Sequence, residues 1–443
     1  LAWDPSGNTI YVAWLNRATN EMRMVTFDAS SGQEVATLFT ESDEQWCEPE
    51  QPVRFIPGKP NEFLWFSRRN GFLNLYHYET GGRLLGATQA TFEITDIIGF
   101  DAGATCVFVH ARGIRPTESN VYRITLVDMK MNLCGATAGT HHAILSGSGK
   151  YLLDMYSSLD IPLNTELIDS TGKTVRLLLQ SKNPLKDKLY GKTELFSIKG
   201  KDGTDLWCRL IKPTNFDPKK KYPVLVYVYN GPHVQLVTNN WLGGASLWMN
   251  YFAEEGYLVF TVDGRGSANR GEKFEQAIYR QLGTVEVEDQ LAGVDWLKNQ
   301  AFVDPARLAV HGWSYGGFMT TSLMLKSPDT FKVGVAGGAV IDWNLYEVMY
   351  TERYMDTPTQ NPEGYKNADL TQYVKNLKGK LLMIHGMDDD VVVLQHHTKF
   401  VKACVDNKVQ INTFLYPGHP HNVRGKDRVH LIQQVLDYVK ANL

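Results

Sequence analysis

Three short segments in the second half of the chain hold residue types that can do nucleophilic chemistry together. Gly312-Trp313-Ser314-Tyr315-Gly316-Gly317 follows the apolar run Leu308-Ala309-Val310-His311 and precedes a helix-like stretch from Gly316. A G-x-S-x-G turn between a strand and a helix leaves no room for bulky neighbours. It exposes the serine hydroxyl over a helix N-terminus whose amides favour a developing anion. A serine hydroxyl is a weak nucleophile at neutral pH and needs a base, itself oriented by a carboxylate. Asp388, Asp389 and Asp390 follow the run LLMIHGM, and His419 and His421 follow the run TFLYPG. The order serine, aspartate, histidine, each after a strand, is the order of an α/β-hydrolase triad. Within each set the spacing leaves the choice open. His396 and His397 read as surface helix residues outside this chemistry.

Acyl transfer also needs donors aimed at a tetrahedral oxyanion. The backbone N–H of Tyr315, next to the nucleophile, is one. The second must follow an earlier strand, and VLVYVY ends at Tyr229 before Asn230-Gly231-Pro232. Taken alone, Tyr229 reads equally well as a buried strand-end aromatic. Trp343, Tyr346 and Tyr350 stand at i, i+3 and i+7, one face of a helix, which by spacing alone is a core stripe.

The elements around these residues define the fold. From residue 186 to 443, apolar strands alternate with helices. The strands are Val224–Tyr229, Leu258–Val262, Leu308–His311, Leu381–Ile384 and Asn412–Tyr416, and the helices lie around Trp248–Glu254, Val285–Lys298 and Val429–Lys440. This pattern implies a doubly wound, mostly parallel sheet covered on both faces, an α/β-hydrolase domain. Residues 1–185 have a different texture. Strand pairs begin near residues 10, 63, 105 and 151, most split by polar turns such as NRATNE and RRNG. Paired aromatic-rich strands at a period of about 40–50 residues point to part of an all-β propeller, its last blades. A β-sandwich is the plainer alternative. The polar, proline-containing segment NPLKDKL near 183–189 marks the boundary.

Composition narrows the functional classes. Of 443 residues, 43% are hydrophobic and 21% charged, which rules out disorder as the main state. A formal net charge of −3 gives no pull toward nucleic acid or an anionic membrane. Cys47, Cys106, Cys134, Cys208 and Cys404 are scattered, with no zinc-ligand spacing. No apolar run reaches the ~18 residues that span a bilayer. The chain opens on Leu1 in the middle of a β-like pattern. It is therefore expected to be a fragment, with earlier blades and any signal peptide or anchor upstream.

Longer motifs carry a resemblance. Gly312-Trp313-Ser314-Tyr315-Gly316-Gly317, Asp263-Gly264-Arg265-Gly266-Ser267, Leu282-Gly283-x-x-Glu286-Val287-Glu288-Asp289-Gln290 and Tyr350-Thr351-Glu352-Arg353-Tyr354 resemble the dipeptidyl peptidase IV branch of the prolyl oligopeptidase family. The resemblance runs through 189–443, and such proteins carry a propeller before the hydrolase domain. It implies that Asp389, in His385-Gly386-x-x-Asp389-x-x-Val392, is the triad acid, and that His421 is the base rather than His419. It also implies that Tyr229 joins the Tyr315 amide in the oxyanion hole. Val340, Trp343, Tyr346, Tyr350 and Val392 fall on the family's proline pocket, with Tyr315 beside it.

The implied activity is a serine exopeptidase that cleaves on the carboxyl side of proline and releases N-terminal tripeptides, X-X-Pro. Its substrates would be peptides with proline near a free N-terminus. Val391 is a departure, because dipeptidyl relatives have asparagine there, and it favours altered subsites. Dipeptide release and an acylaminoacyl peptidase or esterase are the enzyme alternatives, and a propeller binding module with an inert hydrolase domain is the other. The acidic residues that bind a free N-terminus in the family precede the blades seen here, and Glu48 and Glu50 do not match them. The role of Arg265, substrate clamp or ion-pair partner, stays open. The resemblance further implies a homodimer in the periplasm or at the cell surface. No metal or organic cofactor is needed for this chemistry.

Overall fold

Alternating apolar residues in paired runs build four separate antiparallel sheets in the first part of the chain. The computed structural model describes residues 1–113, 115–135 and 138–443. They divide into two units, one of residues 1–184, 238–242 and 269–275, the other of 185–237, 243–268 and 276–443.

In the first unit each sheet is a four-stranded meander, its strands paired in chain order. The strand pairs expected from sequence are the central strands: Thr9–Leu15 with Glu21–Asp28, Lys59–Ser67 with Asn74–Glu79, Cys106–Ala111 with Asn120–Thr125, and Tyr151–Ser157 with Asn164–Asp169. Successive side chains of a strand point to opposite faces. Phe63 and Trp65 accordingly join Met22 and Met24 of the preceding sheet, while Leu64 and Phe66 join Val107 and Val109 of the next. Phe108 then packs with Leu152 and Ile168 of the fourth sheet. The middle sheets are thus buried on both faces, which explains their near-continuous apolar strands. Four sheets packed face to face in chain order is how propeller blades stack.

The second unit is one eight-stranded sheet. Its strands are β1 (Lys192–Lys199), β2 (Asp205–Lys212), β3 (Tyr222–Tyr227), β4 (Leu258–Asp263), β5 (Val303–Trp313), β6 (Val333–Gly337), β7 (Lys380–Gly386) and β8 (Asn412–Tyr416). The spatial order is β1-β2-β4-β3-β5-β6-β7-β8. β2 pairs antiparallel with β1 and β4, and all remaining pairs are parallel.

Helices cover both faces. The helices α1 (Leu247–Glu254), α2 (Val285–Lys298), α3 (Tyr315–Lys326), α4 (Val348–Met355), α5 (Pro362–Ala368), α6 (Gln395–Asp406) and α7 (Lys426–Asn442) follow in chain order. One apolar cluster joins Met249 and Phe252 of α1 and Leu431 and Val435 of α7 to Leu225, Val259 and Ala309 of the sheet. On the other face α2 packs closely, a Cβ at Gly293 falling 2.6 Å from Val262 and 3.0 Å from Phe260 of β4. Ligands of such sheets sit beyond the carboxyl ends of the strands, and the candidate residues gather there.

Candidate active site

Ser314 sits between β5 and α3 with φ 63° and ψ −121°. Positive φ is uncommon for a residue with a Cβ, and such strain concentrates at functional turns. The turn closes only because glycines flank it. A Cβ on Gly312 would stand 2.4 Å from the Gly316 carbonyl oxygen, and one on Gly316 would stand 2.3 Å from that of Val228. The Ser314 N–H donates to the Gly337 carbonyl at 2.8 Å, which ties the turn to β6. As the first residue of α3, Tyr315 has an N–H without an acceptor inside the helix.

The loop after β7 holds Asp389, buried at 6% exposure. Its Oδ1 accepts from the N–H groups of Val391 at 3.0 Å and Val392 at 2.8 Å. Its Oδ2 meets His421 Nδ1 at 2.8 Å and lies 3.4 Å from His385 Nε2. Burial alone would raise this carboxyl, but the hydrogen bonds to His385 and His421 and the charge interaction with His421 outweigh it. They hold Asp389 well below the usual carboxylate range. His419 turns elsewhere, its Nε2 2.7 Å from Asp427 Oδ2. The histidine loop approaches closely because position 386 is glycine, where a Cβ would lie 2.4 Å from the Pro420 carbonyl oxygen. Trp313 Nε1 donates to the His421 carbonyl at 2.8 Å and fixes the loop from the nucleophile side.

Tyr229, just beyond β3, lines the same cavity as Ser314, and its hydroxyl interacts with the Ser314 side chain. Burial pushes that hydroxyl's pKa up and the interaction with Ser314 partly offsets the rise, so Tyr229 keeps its proton and stays a donor. Tyr229, Ser314, Tyr346, Val391 and His421 line one cavity of about 420 Å3.

The aromatic residues after Val340 do gather, but not on one helix. Asp342 accepts from the Asn344 N–H at 3.0 Å, and the chain makes only a single 3-10 turn, Trp343–Leu345. Tyr346 is extended, and α4 begins at Val348. The side-chain cap competes with helix continuation, which spacing alone does not reveal. The rings meet across the break. Trp343 stacks on Tyr350 at 6.0 Å, Tyr346 lies edge-on to Trp343 at 5.4 Å, and Tyr315 stands 5.6 Å from Trp343. Val340 and Val392 are fully buried.

The prolyl oligopeptidase family profile matches residues 245–443, and that of the dipeptidyl peptidase IV N-terminal region matches residues 1–163. The crystal structure of a candidate dipeptidyl aminopeptidase IV of Bacteroides ovatus superposes over 100% of this chain at TM-score 0.96 and 41% identity. This chain covers 66% of that one. The chain belongs to the dipeptidyl peptidase IV branch of the prolyl oligopeptidase family. Porphyromonas gingivalis dipeptidyl peptidase 4 superposes at TM-score 0.91 and 31% identity, over 99% of this chain and 62% of its own. Sus scrofa dipeptidyl peptidase 4 is 31% identical over 442 residues, 94% of this chain and 56% of its own length. Homo sapiens dipeptidyl peptidase 8 is 32% identical over 344 residues, 74% of this chain and 38% of its own length. The chain thus spans about half or less of these curated relatives. The fold is the branch's own, a hydrolase domain preceded by β-sheets.

Several residues near this family's site are visible only in three dimensions. Glu286, buried on α2, accepts from the Tyr315 hydroxyl at 2.5 Å and from the Gly283 N–H at 3.0 Å. Arg265 is an ion-pair residue, with Nη2 2.7 Å from Oδ1 of buried Asp289 and Nη1 3.0 Å from Asp202. His396 and His397 correct the surface expectation, since both are buried in α6. Burial lowers each to about 4, so both are neutral. His396 Nδ1 accepts from the Ile341 N–H at 3.1 Å and anchors the strand-like segment before Trp343. Glu50, unmatched as an amine ligand, pairs with Arg68 at 3.0 Å.

Proposed function

We propose that the protein is a serine peptidase that cleaves on the carboxyl side of proline and releases a short peptide from a free N-terminus. In this reading Ser314 attacks the scissile carbonyl. His421 takes the hydroxyl proton as general base and then gives it to the leaving amine. Asp389 holds the Nδ1–H tautomer of His421 and stabilises the imidazolium that forms. The Tyr229 hydroxyl and the Tyr315 amide stabilise the oxyanion. The observation that carries this reading is the 2.8 Å contact between Asp389 and His421 beside a cavity that also holds Ser314.

The proline ring is compact, apolar and, once acylated, has no N–H. The uncharged box of Trp343, Tyr346 and Tyr350, with Val340 and Val392, suits it. Two release lengths have separate support. Val391, where dipeptidyl relatives carry asparagine, favours X-X-Pro. The names of the relatives, dipeptidyl peptidases, favour X-Pro. A homodimer is expected from the family resemblance, and sedimentation reads it directly.

The test uses the full protein on X-Pro, X-X-Pro and X-X-X-Pro p-nitroanilides, each with a free and an acetylated amine. Turnover of one free-amine length, lost on acetylation and in Ser314→Ala, is the expected result. Turnover that survives Ser314→Ala overturns the assignment, and a preference for the acetylated substrates replaces it with an acylaminoacyl peptidase.

A further inference from the structure

The cavity at Ser314 touches the aromatic box only at Tyr346 and extends into a second lobe on the α1 side of the sheet. Tyr315, Trp343 and Tyr350 lie on the α2 side, where the Tyr315 hydroxyl reaches Glu286. The second lobe is lined by Tyr227, Trp248, His311, Arg428, Leu431 and Ile432. Tyr227 of β3 and His311 of β5 are register partners and share a face. Trp248 of α1 sits 5.8 Å from the first ring and 6.0 Å from the second. Leu431 of α7 belongs to the α1-side core, and Tyr227, Trp248 and Ile432 pack against it. Ser314, at the carboxyl edge of the sheet, lines this cavity, whereas Tyr315, Trp343 and Tyr350 do not.

The proposed chemistry gives the aromatic box and this lobe opposite sides of the scissile bond. If the proline ring fills the aromatic box, the chain leaving with the new amine must run to the other side of Ser314. His421, which would protonate that amine, lines the same cavity.

The charge in this second lobe is one-sided. Burial lowers His311 to about 4, and its Nδ1 bonds the Val335 carbonyl at 2.8 Å, so it is neutral. Among the described residues no carboxylate lines the cavity. Arg428 does, and its neighbour Asp427 is engaged by His419. Among the described residues no carboxylate pairs with Arg428. A guanidinium over an aromatic-walled pocket, without a counter-ion, is suited to bind a planar carboxylate in a bidentate manner.

We propose that this lobe seats the residues after the scissile bond, and that Arg428 selects leaving segments bearing a carboxylate. The inference rests on the peptidase reading above and adds to it a specificity on the leaving side. The carboxylate has two sources, an acidic side chain or the free C-terminus of a short substrate, and the test separates them.

In the full protein, peptides share one acyl part ending in proline and differ in the leaving segment: Ala-Ala-amide, Ala-Glu-amide, Ala-Lys-amide and Ala-Ala with a free carboxylate. The readout is the ratio of kcat/KM between segments within each enzyme form, so that any general loss cancels. The wild type is expected to favour a carboxylate-bearing segment over Ala-Ala-amide about tenfold. The arm with the advantage names the source. Arg428→Gln should bring the ratio within about twofold, and Arg428→Glu should turn the preference to Ala-Lys-amide. Added salt should shrink the wild-type ratio, because Arg428 is exposed. An enzyme that hydrolyses the matching p-nitroanilide but shows no ratio, or keeps it in Arg428→Gln, overturns the Arg428 assignment alone. An enzyme that hydrolyses neither overturns the peptidase reading and this inference with it.

Discussion

His421 Nδ1 lies 2.8 Å from Asp389 Oδ2, while His419, two residues earlier, reaches Asp427 instead. Only one tautomer of His421 satisfies that contact, the one with the proton on Nδ1 and a free lone pair on Nε2. Asp389→Asn offers an amide that can hold the opposite tautomer. The expected cost is about 10³–10⁴-fold in kcat with little change in KM. His419→Ala should leave kcat within a few fold. Active-site titration with a fluorophosphonate and steady-state kinetics check both, and a collapse in His419→Ala alone would exchange the two histidines.

Tyr229 is a donor held at the nucleophile. Its hydroxyl pKa is raised by burial, so it stays protonated across the working range of a histidine base. Tyr229→Phe keeps the packing against Tyr315, 6.1 Å away between rings, and removes only the hydroxyl. A loss of about 10²–10³-fold in kcat at near-constant KM is expected. A raised KM at constant kcat would place the hydroxyl on the ground-state substrate instead.

Legibility in the sequence followed burial and local competition. Strand segments buried on both faces, such as residues 63–67 of Lys59–Ser67 and the whole of Cys106–Ala111, read as apolar runs, whereas edge strands such as the mostly exposed Glu34–Ser42 carry no period-2 signal. β6, Val-Gly-Val-Ala-Gly, is too glycine-rich to read as a strand, yet it is fully buried. The G-x-S-x-G turn is legible because its glycines are dictated by backbone clashes. The 3-10 break at Trp343 is hidden because the Asp342 cap, not the aromatic spacing, decides it. His396 and His397 look polar in sequence and are buried by tertiary packing that no local pattern encodes.

Arg265 answers to stability rather than to substrate. Its guanidinium makes three contacts with Asp289, Nε at 3.0 Å and 3.2 Å and Nη2 at 2.7 Å, and Asp289 is 1% exposed. Arg265→Met leaves that carboxylate buried without its cation, and a loss of about 2–4 kcal/mol is expected. Arg265→Met with Asp289→Leu should recover part of it. The recovery is partial because the Arg265 N–H, which Asp289 accepts at 2.7 Å, is then orphaned. Urea denaturation of the two variants checks this. An unchanged midpoint with a raised KM would make Arg265 a substrate clamp.

Acid–base behaviour of the first unit centres on Arg68. Glu93 Oε1 lies 2.8 Å from it, Glu50 3.0 Å and Glu275 3.2 Å, three carboxylates on one guanidinium. Burial raises Glu275 to about 7, Arg68 pulls it down, and Glu93 pushes it up. Folded Glu275 therefore holds its proton to a higher pH than the ordinary value of 4.5 in the unfolded chain. Between those two values the folded state binds more protons, so stability falls as pH rises and stays reduced above about 7. Glu275→Gln keeps an acceptor for the Asn269 N–H, bonded at 3.0 Å, and removes the charge. It should stabilise the protein at pH 8 by on the order of 1–3 kcal/mol and change little at pH 4.5. Melting temperatures of wild type and variant at the two pH values decide it, and a gain equally large at both would mean that the cluster does not titrate in this range.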